Sequence, residues 1–410
     1  MSTQDRMRTA LVVILVLAIA LAAGGTGFAA GWFVRSHAVA AAPPPATTTL
    51  QQRFGLFWEA WTIIEREFNH EAPLDLQKVV YGAISGAIHA LGDPYTTFSE
   101  PAQAKIFEQD LEGSFEGIGA TVDQVDGLVV IVETLDGSPA MKAGLRSKDV
   151  LLEADGKSLQ GMDLSQAINL IRGPRGTQVR LRVLREGTPE PFEVVVTREK
   201  IDLPTVSYRM LDHGIAYLRL TEFNNQATTR LQAALRELLK EQPRALILDL
   251  RGNPGGYLHI AVQVASQFIR DGVIVTERDS KGKVTEFKAE GNGLALDIPL
   301  VVLVDSGSAS ASEIVAGAIQ DAGRGTLVGR ATFGKGSVQA SYTLSDGSAV
   351  RVSIARWYTP NGHQIDGKGL TPDVVVPLDA DNAAGPGRDA ILERAEQFIL
   401  QQQPQPAATP

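Results

Sequence analysis

A run of five apolar residues, Leu300-Val301-Val302-Leu303-Val304, leads into Asp305-Ser306-Gly307-Ser308-Ala309-Ser310-Ala311-Ser312-Glu313 and then into a helical pattern. Ser308, Ser310 and Ser312 therefore sit at a strand-to-helix turn. The start of a helix offers unpaired N–H groups and a positive dipole end, which suits a nucleophile whose reaction develops negative charge. Taken alone, the segment reads more simply as helix capping by serine. A second segment, Gly329-Arg330-Ala331-Thr332-Phe333-Gly334-Lys335-Gly336-Ser337-Val338-Gln339, sets one lysine among glycines and an aromatic ring. Lysine can deprotonate serine only where burial disfavours its ammonium form. Lysine is more often a solvated surface charge. A phosphate loop built on Gly329-xxxx-Gly334-Lys335 fails, because Gly336 stands where a magnesium-binding Ser or Thr is required.

A Ser-His-Asp arrangement is the main alternative chemistry. His70, His89, His213, His259 and His363 share no motif, and only His259, just after the glycine-rich Asp249–Gly256 segment, stands near a candidate loop. No histidine or carboxylate spacing suits a metal, so neither a metal nor a cofactor is expected. Cysteine is absent, which removes disulfides, thiol nucleophiles and thiolate metal sites. A net charge of −9 with no basic stripe excludes nucleic acid as the expected partner.

The elements that must position these residues follow from periodicity. Arg6 and Arg8 precede an uncharged stretch from Thr9 to Val34, about 26 residues, enough to span a bilayer with some tilt. Ala38-Val39-Ala40 offers a cleavage site, yet the apolar stretch is long for a signal peptide, so an uncleaved anchor with a cytoplasmic N-terminus is expected. A tether rich in Ala, Pro and Thr follows, then apolar residues at helical spacing from Leu50 to about Gly113, which predict two or three packed helices. From Ser114 to about Arg198 the texture is short β-branched runs (128–132, 150–153, 179–183, 192–197) with one helix, Leu164 to Arg172, begun at Asp163. From Ile201 to Pro377 strands alternate with helices, which argues an α/β domain. An amphipathic helix from Arg388 to Leu400 precedes a Gln- and Pro-rich tail whose composition predicts disorder. The expected units are 1–40 anchor, 41–113 tether and helices, 114–200 β-rich domain, 201–378 α/β core and 379–410 terminal helix and tail.

Within the β-rich unit, Ser138-Pro139-Ala140, Ala143-Gly144-Leu145, Asp149-Val150-Leu151-Leu152 and Asp155-Gly156 resemble a PDZ domain in order and spacing. Gly307 to Ile314 and Thr332 to Gln339 resemble the signatures of the C-terminal processing proteases, the S41 family of serine proteases with a PDZ domain. So do Leu91-Gly92-Asp93-Pro94-Tyr95-Thr96, Phe115 to Ala120, Asp249 to Gly256, Tyr358 to Gly362 and Gly369 to Asp373.

The resemblance implies a mixed α and β chain: an anchor, a helical region, a PDZ domain and an α/β core of the ββα-spiral type shared with crotonase-like and Clp-type proteins. It implies Ser310 as nucleophile and Lys335 as base; if Lys335 to Gln339 forms a helical turn, positions four apart share a face and Gln339 would orient the lysine amine as third member. It implies an oxyanion hole from the N–H of Ala311 and one from Gly255 or Gly256. Gly117, Ile118, Gly119 and Ala120 would hold a peptide carboxylate, and Arg172 would touch the protease domain and couple peptide capture to catalysis. The implied activity is endoproteolysis near the unstructured C-termini of exported proteins, outside the cytoplasm at the membrane, or secreted if the anchor is cleaved. A homo-oligomer or an activating partner is compatible with this reading. The alternatives are a non-catalytic PDZ adaptor in the cell envelope and a crotonase-type acyl-CoA enzyme, which would need neither PDZ domain nor export.

Overall fold

The computed structural model describes residues 48–69, 73–203, 205–378 and 388–402. The predicted anchor therefore lies outside the described residues, among which no helix is long and apolar enough to cross a membrane.

Three helices open the described chain: α1 (Thr48–Glu67), α2 (Leu76–His89) and, after the short strand β1 (Thr97–Ser99), α3 (Pro101–Glu112). Asp75 caps α2 by accepting from the Lys78 N–H. The expectation of packed helices needs correction, because α2 and α3 bury no residue and Phe54, Leu56, Trp58 and Ile63 of α1 stand exposed. Apolar spacing made these segments helical, but they form no core of their own.

The β-rich unit contains β2 (Ser114–Gly117), β3 (Ala120–Val125), β4 (Leu128–Thr134), the one-turn α4 (Pro139–Lys142), β5 (Val150–Ala154) and β6 (Lys157–Ser158). It continues with α5 (Leu164–Ile171), β7 (Gln178–Leu184), β8 (Phe192–Thr197) and β9 (Glu199–Asp202). Its main sheet runs in the order β3-β4-β5-β7-β8, while β2 pairs with β9. Val179, Leu181 and Val183 point inward at a period of two, joining Val129, Ile131 and Leu151 in a closed core. The strand β3 occupies one edge of the sheet, beside α5.

The remaining chain supplies β10 (Val206–Leu211), β11 (Ile215–Leu220), α6 (Ala227–Lys240), β12 (Ala245–Asp249), α7 (Leu258–Ala265), β13 (Val273–Asp279) and β14 (Val284–Lys288). It ends with β15 (Leu300–Val304), α8 (Ala311–Asp321), β16 (Thr326–Gly329), β17 (Ser337–Thr343), β18 (Ala349–Tyr358), β19 (Val374–Val375) and α9 (Ala390–Gln402). One sheet, β10-β11-β12-β15-β16-β19, is parallel from β11 onward. Every residue of β12 and β15 is buried, as strands covered on both faces must be. Leu246, Leu248, Leu300, Val302 and Val304 face the core under α6, α7 and α8. Ile247, Val301 and Leu303 face the opposite core, closed by Ile391, Ala395 and Ile399 of α9. In a second, antiparallel sheet β18 pairs with β17, β13 and β1. Its strand β1 ties the N-terminal helices to the core.

Candidate active site

The serine turn hangs from the buried end of β15. Ser310 stands at the N-cap of α8 with φ 54° and ψ −112°, a conformation that residues with a Cβ seldom adopt and that costs about 1–3 kcal/mol. Such strain persists only where the surroundings hold it. Here the Ser308 hydroxyl donates to the Leu250 carbonyl at 2.8 Å, the Ser312 hydroxyl to the Asn253 carbonyl at 2.8 Å, and the Ala309 N–H to the same Asn253 carbonyl at 3.0 Å. The outer serines are thus fully buried locks. Ser310 is partly exposed, and its hydroxyl donates to no acceptor among the described residues.

A buried carboxylate joins this turn to the lysine loop. Glu313 Oε1 accepts from Thr332 Oγ1 at 2.6 Å and from the Gly334 N–H at 2.7 Å. Its Oε2 accepts from the N–H groups of Ser310 and Lys335, each at 2.9 Å, so the two nitrogens lie no further apart than two hydrogen-bond lengths. Burial pushes the Glu313 carboxyl up, and its hydrogen bonds from Thr332, Gly334, Ser310 and Lys335 offset only part of that, so it stays above its ordinary value. Burial also pushes the Lys335 ammonium down from its ordinary value; the Arg351 guanidinium adds to that, and Glu313 opposes it. Ser310-x-x-Glu313 was a legible capping box, the one signal in the sequence that pointed to this clamp.

The expected helical turn from Lys335 to Gln339 is not formed. Lys335 lies in a loop and Gln339 on β17. The β-branched and polar run after Gly336 pairs with β18 instead, with a register shift between Val338 and Gln339. Gln339 Nε2 donates to the backbone carbonyl of Tyr95, and the Tyr95 ring centroid lies 5.7 Å from Lys335 Nζ.

The glycine loop closes on the other side of Ser310. A Cβ on Gly255 would stand 2.8 Å from Ser310 Cβ, and one on Gly256 would stand 2.3 Å from the Phe223 carbonyl oxygen, so both positions exclude side chains. The Gly255 N–H donates to Asn253 Oδ1 at 2.9 Å. The Gly256 and Ala311 N–H groups have no acceptor among the described residues. Behind the loop, buried Asp249 accepts from Tyr217 Oη at 2.6 Å and from Arg251 Nε at 2.9 Å, and Arg251 reaches on to Asp389 at 2.7 Å. Burial, then the Asp249 carboxylate, pushes the Tyr217 hydroxyl up to about 12. Asp389 is far away in sequence and nothing in its composition announced this role.

Among the described residues no histidine makes a hydrogen bond or ion pair to the serine turn. His363 Nδ1 lies 3.3 Å from Asp321, but Asp321 ends the 11-residue helix that Ser310 begins, which puts about 16 Å between them at 1.5 Å per residue. His259 packs its ring 5.2 Å from that of Tyr257, and burial pushes it down; His70 lies outside the described residues.

In the β-rich domain, Gly117 ends β2, Ile118 and Gly119 form the connecting loop, and Ala120 starts β3. The Ile118 and Gly119 carbonyls accept from Ala140 and Leu135 at 2.8 and 3.0 Å, while their N–H groups meet no acceptor among the described residues. Among the described residues Arg172 makes no hydrogen bond or ion pair to the 201–378 core, where a contact was expected. Its guanidinium lies 4.0 Å from the centre of the Phe115 ring and donates to Gln109 at 2.7 Å on α3, because α5 packs against that helix.

Residues 214–376 match the model of peptidase family S41, and residues 130–185 match that of a PDZ domain. The chain is 39% identical over 316 residues to the carboxy-terminal processing protease CtpA of Bacillus subtilis, covering 77% of this chain and 67% of that protein. It is 39% identical over 307 residues to the carboxy-terminal-processing protease of Bartonella bacilliformis, covering 74% of this chain and 70% of the relative. Among solved structures, a putative S41 protease from Bacteroides fragilis shares the fold at a TM-score of 0.50 and 17% identity, over 84% of this chain and 97% of that one.

Proposed function

Because this chain belongs to the carboxy-terminal processing proteases of peptidase family S41, which are serine peptidases, we propose that Ser310 is its nucleophile and Lys335 its general base. The observation that carries the assignment is the Glu313 carboxylate, which holds the Ser310 and Lys335 backbones on a single oxygen beside the glycine loop. Neutral Lys335 takes the Ser310 hydroxyl proton as Oγ bonds to the scissile carbonyl carbon. The carbonyl electron pair moves onto oxygen, where the Ala311 and Gly256 N–H groups receive it, since that of Gly255 is already committed to Asn253. The Lys335 ammonium then protonates the departing amine as the C–N bond breaks, leaving an acyl ester on Ser310. Water, deprotonated by Lys335, releases the acid and restores the serine.

Gln339 is the third member of this set. With Nε2 committed to Tyr95, its Oε1 is the acceptor available to orient the Lys335 amine. The PDZ domain captures unstructured C-terminal tails by adding them to the free edge of β3 beside α5, with the terminal carboxylate on the amides of Gly117, Ile118, Gly119 and Ala120. Arg172 transmits that capture through α3, the helix it grips. The Thr9–Val34 segment anchors the protein with its catalytic part outside the cytoplasm, in the periplasm or at the cell exterior, where exported proteins are its substrates.

The test is degradation of an unstructured protein by the full-length chain, with and without an apolar C-terminal tail on the substrate. Tail-dependent cleavage that Ser310→Ala abolishes is expected. Tail-dependent binding without cleavage by the unmodified protein would contradict the assignment and favour an adaptor.

A further inference from the structure

We propose that Tyr95, contributed by the N-terminal helical region, is a positioning residue of the active site that covers Lys335 and orients Gln339. The inference rests on the Ser–Lys reading above and adds to it a residue outside both matched domain models, which begin at positions 130 and 214. Two contacts carry it. The Tyr95 ring presents its face to Lys335 Nζ at 5.7 Å, and the Tyr95 carbonyl accepts from Gln339 Nε2.

The segment that brings Tyr95 there is held at several points. Asp93 accepts from the Tyr95 N–H at 3.2 Å and from Thr96 Oγ1 at 2.6 Å. Thr96 Oγ1 in turn accepts from the Ser353 N–H at 3.1 Å, and β1 pairs Thr97 to Ser99 with Arg351 to Ala349. Ser353 is the residue opposite Gln339, immediately after the register shift that skips Ile354. The irregularity in the β17–β18 ladder is thus the place where the N-terminal segment docks.

A lysine base has three requirements that this contact meets together. It must be neutral before reaction, its lone pair must not be occupied by a standing hydrogen bond, and its ammonium must be stabilised once formed. An aromatic ring face excludes water from the amine, donates no hydrogen bond to its lone pair, and attracts the cation as it develops. The charged groups around the pair do not replace it. Glu313, from α8, spends its carboxylate on Ser310, Thr332, Gly334 and Lys335 N–H and hydroxyl groups. Arg351, from β18, repels the ammonium and stacks 4.2 Å over the Phe107 ring. Asp366 pairs with Arg356 at 2.7 Å, and Asp93 is engaged by Tyr95 and Thr96.

The experiment is the pH profile of kcat/KM for the full-length protein on an unstructured, tail-bearing substrate, with Tyr95→Phe, Tyr95→Leu and Tyr95→Ala beside Lys335→Ala. Tyr95→Phe keeps the ring and should stay within about twofold of the unmodified protein, with the same midpoint. Tyr95→Ala admits water to the amine, so the midpoint should move to higher pH and activity at pH 7 should fall about tenfold per unit of movement. Tyr95→Leu keeps an apolar cover without a π face; losing the attraction for the ammonium, it should shift the midpoint to slightly lower pH, never higher, and lower the high-pH plateau several-fold, and it carries the test if the alanine variant does not fold. An unmoved midpoint in Tyr95→Ala, or a loss in Tyr95→Phe equal to that in Tyr95→Ala, overturns the proposal. Activity persisting in Lys335→Ala would instead sink the Ser–Lys reading itself, so the two failures are distinguishable.

Discussion

Lys335→Ala is expected to lower kcat/KM by about 10²–10⁴-fold, the range for removing a positioned general base. Lys335→Arg should be no better, because a guanidinium stays protonated and cannot accept the serine proton. The sign of the pH dependence follows from the same group. Burial and Arg351 hold the Lys335 ammonium below its ordinary 10.5, and only the neutral amine is competent. Activity should therefore rise with pH through that lowered midpoint. Arg351→Met removes a like charge, so its rise should come at higher pH. Steady-state profiles of the three variants check this, and a Lys335→Ala enzyme with an unaltered profile would show that the base lies elsewhere.

Glu313→Gln should be nearly as damaging although it changes few atoms. The carboxylate is fully buried and acts only as an acceptor, taking four donors. An amide oxygen can serve Thr332 and Gly334, but the amide nitrogen then faces the Ser310 and Lys335 N–H groups, donor against donor. Each buried group left unpaired costs about 1–3 kcal/mol, and Ser310 loses the bond that helps hold its strained backbone. The expected result is a fall in kcat of about 100-fold or more at temperatures where the variant remains folded. Thermal unfolding measured beside kcat separates loss of geometry from loss of stability. Full activity in Glu313→Gln would mean that the clamp does not set the relation between the two loops.

Much of this arrangement is legible in the sequence because it is local. The strands of the PDZ domain announce themselves by alternation, as in Gln178–Leu184, β15 by an unbroken apolar run and β12 by one that Asp249 ends. Asp163 marks the start of α5, and its side chain accepts from the Ser165 N–H at 2.9 Å. The strand-to-helix turn at Ser310 follows from the same rules. What is not legible depends on partners distant in the chain. Gln339 lies four positions after Lys335, a spacing that fits a helical face, yet pairing with β18 makes the segment a strand and hands the Gln339 amide to Tyr95. The strand β13 follows a short apolar start with Glu277, Arg278 and Asp279, and β14 sets Glu286 and Lys288 at exposed positions, so neither shows the long apolar run that flags a buried strand. Asp389 meets Arg251 only because α9 covers the second face of the parallel sheet. The anchor read from Thr9 to Val34 lies outside the described residues.

The most direct measurement of the central claim is site-mapped labelling of the full-length protein by a fluorophosphonate, read by mass spectrometry after digestion. A serine activated by a neighbouring lysine should give one adduct, on Ser310, that disappears in Lys335→Ala at neutral pH. An adduct on Ser308 or Ser312, or undiminished labelling of Ser310 without Lys335, would contradict the account.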